Sequence, residues 1–175
     1  MEKITLKEIS GYIPDVEILI LNYKCDYVGI ERAKVNGHYF IGEDIYLTYV
    51  GGSTGKKLGT DCKLILHSLE MLTETIVHNG VEIIPIVELA KINYPDHKDY
   101  TFELNENLCL VEIIGITNKT FGFNKLGDFW SLEGIRSVGI SKQLKLFELL
   151  HELNFDLYGL LDRNLAIDKS TLNSK

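Results

Sequence analysis

Successive glycine amides can converge on one point and hold phosphate oxygens, with a neighbouring lysine supplying charge. The run Gly51-Gly52-Ser53-Thr54-Gly55-Lys56-Lys57 has that composition, and it is the stretch of this chain best suited to binding chemistry. It is not a P-loop. In G-x-x-x-x-G-K-[ST] the first glycine would fall on Val50 and the hydroxyl on Lys57, and Leu58-Gly59-Thr60-Asp61 opens no convincing helix. The residues Gly51 to Gly55 also spell G-x-S-x-G, the nucleophile elbow of serine hydrolases. An elbow joins a buried strand to a helix, whereas here Lys56-Lys57-Leu58-Gly59 prolongs the loop and nothing nominates a base. The plain alternative is a solvated connection between two elements.

Aromatic residues stand just upstream. Tyr12, Tyr23, Tyr27, Tyr39, Tyr46 and Tyr49, six of the nine tyrosines, lie in the first fifty residues with Phe40. Alternate positions on antiparallel strands share a face, so such tyrosines either pack across strands or form a platform that stacks a base or grips a protein. Together, Gly51 to Lys57 with Tyr46 and Tyr49 make a candidate ligand-binding set.

Other chemistry finds less support. His38, His67, His78, His97 and His151 show no HxH or HExxH spacing, so zinc is not expected, and His67 and His151 sit in apolar stretches that suit structural imidazoles. Asp96, His97 and Asp99 are close in sequence but lack a third partner for metal or general-base work. Cys25, Cys62 and Cys109 are widely spaced, with no CxxC pair, and read as reduced, buried thiols. None of the acidic residues stands out as a glycosidase pair. No catalytic residue, metal ligand or cofactor is assigned.

The elements that would carry the loop and the tyrosines follow from hydrophobic pattern. Val16 to Tyr23 is apolar on both faces, as a covered central strand requires. Tyr27 to Val35 and His38 to Ile41 flank Asn36-Gly37, a hairpin signal, Gly42-Glu43-Asp44 makes another turn, and Ile45 to Val50 is the next strand, so an antiparallel sheet is expected. Helices are expected from Thr5 to Gly11, from Ser68 to Val77 with His78-Asn79-Gly80 as stop, from Pro85 to Lys91, and from Lys142 to Leu153 behind a Ser141 cap. Val81 to Ile84, Asp99 to Leu104, Leu108 to Ile116 and Thr120 to Phe123 read as strands. A further helical stretch from Asp156 to Asp162, extended by Leu165-Ala166-Ile167, would place the C-terminal segment in the core. The fold class is therefore α+β, a mainly antiparallel sheet packed by a few helices. One globular domain over 1–168 and a frayed tail at 169–175 complete the expectation.

Composition narrows the function classes. With 45% hydrophobic and 25% charged residues the chain belongs with folded globular proteins. The net charge of −7 comes from interleaved signs, without the basic stripe that long nucleic acid demands or the dense acidic face of a DNA mimic. The start Met1 to Glu8 lacks the apolar core of an export signal, and no apolar run reaches membrane-spanning length, so a cytoplasmic protein is expected.

Several segments carry a resemblance: Leu21-Asn22-Tyr23-Lys24-Cys25-Asp26-Tyr27-Val28-Gly29, Gly51-Gly52-Ser53, the stretch from Ser68 to His78-Asn79-Gly80, and Phe155-Asp156-Leu157-Tyr158-Gly159-Leu160-Leu161 with Leu165-Ala166-Ile167-Asp168. In these the chain resembles small uncharacterised proteins of phages and prophages of Bacteroidetes-type bacteria. The resemblance implies an accessory, counter-defence setting in a bacterial host cell and brings no site residues with it. The leading expectation is a non-enzymatic binding protein that sequesters a small anionic ligand such as a signalling nucleotide. The alternatives are an inhibitor or adaptor of a host protein, whose apolar helix face would also serve homo-oligomerisation, and an enzyme outside familiar motifs.

Overall fold

The computed structural model describes residues 4–13, 16–21, 31–96, 100–104, 108–113, 119–124, 128–140 and 142–172. The expectations that rest on Pro14, Tyr23, Cys25, Tyr27, His97, Asp99, Ser141 and the side chain of Cys109 lie outside what is described. The chain divides into two compact units, residues 1–68 with 154–175 and residues 69–153, where sequence reading expected one domain over 1–168. Each is considered by itself.

The first unit opens with α1 (Leu6–Ile9), started by a capping box in which the Thr5 N–H donates to the Glu8 carboxylate at 2.6 Å. Burial pushes the Glu8 carboxyl up, but hydrogen bonds from Arg163 and Thr5 outweigh it and leave the group below its ordinary range. The strands β1 (Glu17–Ile20), β2 (Glu31–Ile41), β3 (Asp44–Tyr49), β4 (Lys56–Lys57) and β5 (Cys62–Leu66) follow. Ile18, Leu19 and Ile20 are all buried, because β1 lies between β2 and β5 with both faces covered. These strands pair antiparallel, and near the chain's end a short strand over Ala166–Asp168 adds to β5 in parallel. Ile9, Val16, Ile18, Leu47, Leu64, Leu66, Leu160 and Leu165 meet in one core.

Neither Asn-Gly dipeptide takes its expected role, whereas the turn expected at Gly42-Glu43-Asp44 is present. Asn36-Gly37 lies within β2, where a bulge between Val35 and Gly37 absorbs the extra residue, and Gly42-Glu43 makes the reversal, with Gly42 at φ +63. Asn79 and Gly80, at φ +50 and +78, instead turn a hairpin in the second unit. The expected helix from Ser68 is consequently a 3-10 turn, Leu69–Thr73, followed by β6 (Ile76–His78) and β7 (Val81–Ile83). Choosing between the two dipeptides takes apolar partners in register on both arms, and Ile45 and Leu47 supply these to β2 only when the turn comes later.

The C-terminal stretch is core, as expected, but it is not helical. Asp156 is 7% exposed, and its carboxylate accepts the N–H groups of Tyr158, Leu160 and Leu161 at 3.2, 2.9 and 2.8 Å. It thereby takes amides that a helix would send to carbonyls four residues back. Asn154, Gly159 and Asn164 at φ +59, +65 and +57 bend the segment further. The buried Tyr12 hydroxyl donates to the Phe155 carbonyl at 2.8 Å and accepts the Leu157 N–H at 3.0 Å, tying this segment to the N-terminal one. Part of the tail expected to fray forms a 3-10 turn, Lys169–Leu172, whose last carbonyl accepts from Arg32 at 3.0 Å.

The second unit continues with α2 (Pro85–Asn93), β8 (Tyr100–Leu104), β9 (Leu108–Ile113), β10 (Lys119–Asn124), β11 (Phe129–Glu133), β12 (Arg136–Val138) and α3 (Gln143–Glu152), and the parallel strand of the first unit is then β13 (Ala166–Asp168). An antiparallel sheet in the order β12-β11-β10-β9-β8 carries Phe121, Phe123 and Phe129, with Phe147 of α3 edge-on to Phe129 at 5.0 Å. On α3 the apolar face is turned inward: Leu146 and Leu150, with Leu153 just past its end, are buried and Phe147 and Leu149 are half-buried, while Leu144, off that face, is 72% exposed. Both units are thus α+β with antiparallel pairing dominant.

Gly122 faces Trp130 across β10 and β11, and a Cβ at Gly122 would overlap the indole ring. Gly122→Ala should therefore destabilise the second unit by about 1–3 kcal/mol, since the ring must leave its place over the strand. Trp130 is the protein's one tryptophan, so its emission on denaturation reads this unit directly. An unchanged midpoint would contradict the account.

Candidate functional site

The loop and tyrosines singled out by composition meet on the hairpin of β2, β3 and β4. β3 alternates strictly: Ile45 and Leu47 are buried in the core, while Asp44, Tyr46 and Thr48 face outward. Tyr39 lies opposite Tyr46, and their rings stack at 5.3 Å with 12° between planes. Lys57 of β4 lies on the other side of Tyr46. Its ammonium pairs with the Asp44 carboxylate at 2.7 Å, a hydrogen bond that holds the amine above its ordinary pKa. The outer face is thus an aromatic stack bordered by an ion pair.

The glycines act chiefly by lacking side chains. A Cβ on Gly55 would come within 2.6 Å of the Tyr39 ring, and one on Gly52 would overlap the ring of Tyr49. Each lets loop backbone lie flat on a tyrosine. The Gly52 N–H turns back to the Tyr49 carbonyl at 3.2 Å and the Val50 N–H goes to the Lys34 carbonyl at 2.9 Å. These two amides serve the hairpin itself.

Of the expected set, Tyr46, Gly55 and Lys57 come together on the outer face. Tyr49 does not join them: it packs toward the core with Gly52 over its ring. Lys56 pairs with Leu47 on the inward register, and Gly51, Ser53 and Thr54 stand in an exposed loop. Gly51, at φ +86, supplies the left-handed bend that starts this loop. Tyr39 and Asp44 belong to the face and were missing from the set. Their signal is the alternation of β2 and β3 about the turn at Gly42-Glu43, hidden while Asn36-Gly37 is read as a hairpin turn that splits β2.

The titratable groups elsewhere take structural roles. Cys62 is buried, with its thiol pushed up to about 12 by desolvation, and its Sγ donates to the carbonyls of Lys56 and Lys57 at 3.7 and 3.8 Å. His78 contacts Glu152 at 3.4 Å and Asn79 at 2.9 Å on a surface. In the second unit, buried Ser131 donates to the Thr120 carbonyl at 3.1 Å and bonds to the Tyr94 hydroxyl, fastening the end of α2 to the sheet. Among the described residues no group of three or more His, Cys, Asp or Glu could hold a metal ion. Among them, too, no helix is long and apolar enough to cross a membrane.

No protein-family model, curated protein or solved structure matches this chain. The functional reading therefore rests on the face itself.

Proposed function

We propose that this chain is a non-enzymatic binding protein that engages a protein partner through the outer face of β2, β3 and β4. The observation that carries the reading is the stacked Tyr39–Tyr46 pair, with Tyr39 39% exposed, on a face where Ile41, opposite Asp44, is 58% exposed. Exposed aromatic and aliphatic groups gathered on one rigid element favour protein contact, where tyrosine contributes large area at small entropic cost. The resemblance to phage and prophage proteins makes a bacterial host protein the partner class, with inhibition or adaptation as the role.

The test is affinity capture with the wild type beside a Tyr39→Ser/Tyr46→Ser variant. Both side chains face outward, so the fold should persist while affinity for the captured partner falls about thirtyfold or more. Equal capture by both proteins would refute the reading.

A second reading, capture of a small anionic ligand such as a signalling nucleotide, draws support from Lys57 beside Tyr46 with Gly55 against Tyr39. The Asp44 carboxylate competes for that lysine, which places this reading second. Titration calorimetry against cyclic nucleotides separates the two: heat that disappears in Lys57→Met would favour the anion over the protein.

A further inference from the structure

The same hairpin has an edge as well as a face. β2 pairs with β1 only from Glu31 to Lys34, and the Val35 N–H closes the contact on the Val16 carbonyl at 2.9 Å. After the bulge, residues 37–41 pair with β3 alone, and among the described residues no strand lies along their other side. The direction of the backbone there can be worked out. The Leu58 N–H donates to the Ile45 carbonyl at 2.9 Å, so Ile45 points its polar groups at β4, away from β2. Phe40 lies opposite Ile45, and in antiparallel pairing opposed residues turn the same way relative to their ladder. Phe40, and His38 two residues earlier, therefore direct N–H and C=O outward.

Residues 36–41, Asn-Gly-His-Tyr-Phe-Ile, contain no charge and no proline, the devices that usually blunt such an edge. The side chains of His38, Tyr39, Phe40 and Ile41 are exposed. In a chain of net charge −7, this uncharged strip is where two copies meet with least repulsion.

We infer that β2 pairs antiparallel with β2 of a second copy, forming a two-fold dimer with one continuous sheet. Hydrogen bonds run from His38 of one copy to Phe40 of the other and back, with Tyr39 opposite Tyr39 at the axis. The Tyr39–Tyr46 stacks of the two copies then lie side by side on one outer face. This inference goes beyond the partner-binding proposal, and its readout is the association state of the purified protein alone.

Sedimentation velocity over a concentration series tests it. The wild type should dimerise. Phe40→Pro removes an outward N–H without touching the β3 ladder, and it should weaken association at least tenfold, about what two lost backbone hydrogen bonds are worth. Tyr39→Lys sets two like charges opposite each other at the axis and should likewise shift the protein to the monomer. A monomeric wild type, or a dimer indifferent to both changes, would overturn the inference. So would a monomer whose capture of another protein is lost in Phe40→Pro, which would make a foreign strand the occupant of this edge.

Discussion

Asp156→Ala should cost the first unit about 4 kcal/mol, an effect large enough to leave much of it unfolded at physiological temperature. The carboxylate sits 7% exposed and organises the turns from 156 to 161 by accepting three amides, of which the Leu160 N–H is itself buried. Alanine removes every acceptor and leaves those amides unsatisfied beside Leu160, a core residue. A buried donor without a partner costs roughly 1–3 kcal/mol, and bonds to a charged acceptor lie at the upper end. Asp156→Asn keeps the oxygen that serves Tyr158 and Leu160 but can turn an amide group toward the Leu161 N–H, so its loss should be intermediate. Amide exchange at Ile65 and Leu66 in β5 gives the stability of this unit directly. Protection there that is the same in wild type and Asp156→Ala would show that the turns hold without the carboxylate.

Lowering the pH from about 6.5 to about 4 should remove about 3 kcal/mol from the same unit, through His67. The imidazole is 7% exposed and lies tilted against Phe155 at 5.5 Å, and its Nδ1 has no hydrogen-bond partner among the described residues. Desolvation, aided by the Lys169 charge and opposed by Asp168, depresses its pKa from 6.5 to about 4. The sign follows from which state takes the proton. Above 6.5 both folded and unfolded chains hold neutral imidazole and there is no penalty. Between 6.5 and 4 the unfolded chain protonates first and gains stability, and below 4 both states carry the proton and the loss levels off. Melting temperature against pH should fall through this window in the wild type and stay flatter in His67→Phe. Parallel curves would remove His67 from the account. His67 and Asp156 are neighbours, since the Asp156 N–H donates to the His67 carbonyl at 2.9 Å, so combined substitutions should not be additive.

The elements that could be read from residues alone are those where one local signal outweighs its rivals. Ile18-Leu19-Ile20 has no polar face to expose, so it had to become a covered strand, and Pro85 with its apolar followers had to begin a helix. The leucines of 156–162 have helical spacing, yet the stretch is not a helix. Spacing does not report that the Asp156 carboxylate will compete for the amides, or that Gly159 will turn left-handed. Tyr46 and Tyr49 offer the opposite lesson. Their separation is odd, so strand alternation alone puts them on opposite faces.

By itself the sequence determined an α+β chain with antiparallel strands, a covered β1, interleaved charge, and a glycine-lysine loop beside tyrosines. Those follow from hydrophobicity, β-branching and charge, which act at each residue whatever lies across from it. Tertiary structure alone decided which Asn-Gly turns, that Tyr39 stacks on Tyr46, that Asp44 occupies Lys57, and that β2 outruns β1 to leave an edge. Each of these is a pairing between residues distant along the chain. Register settles such pairings, and register is a property of two strands packed over one core.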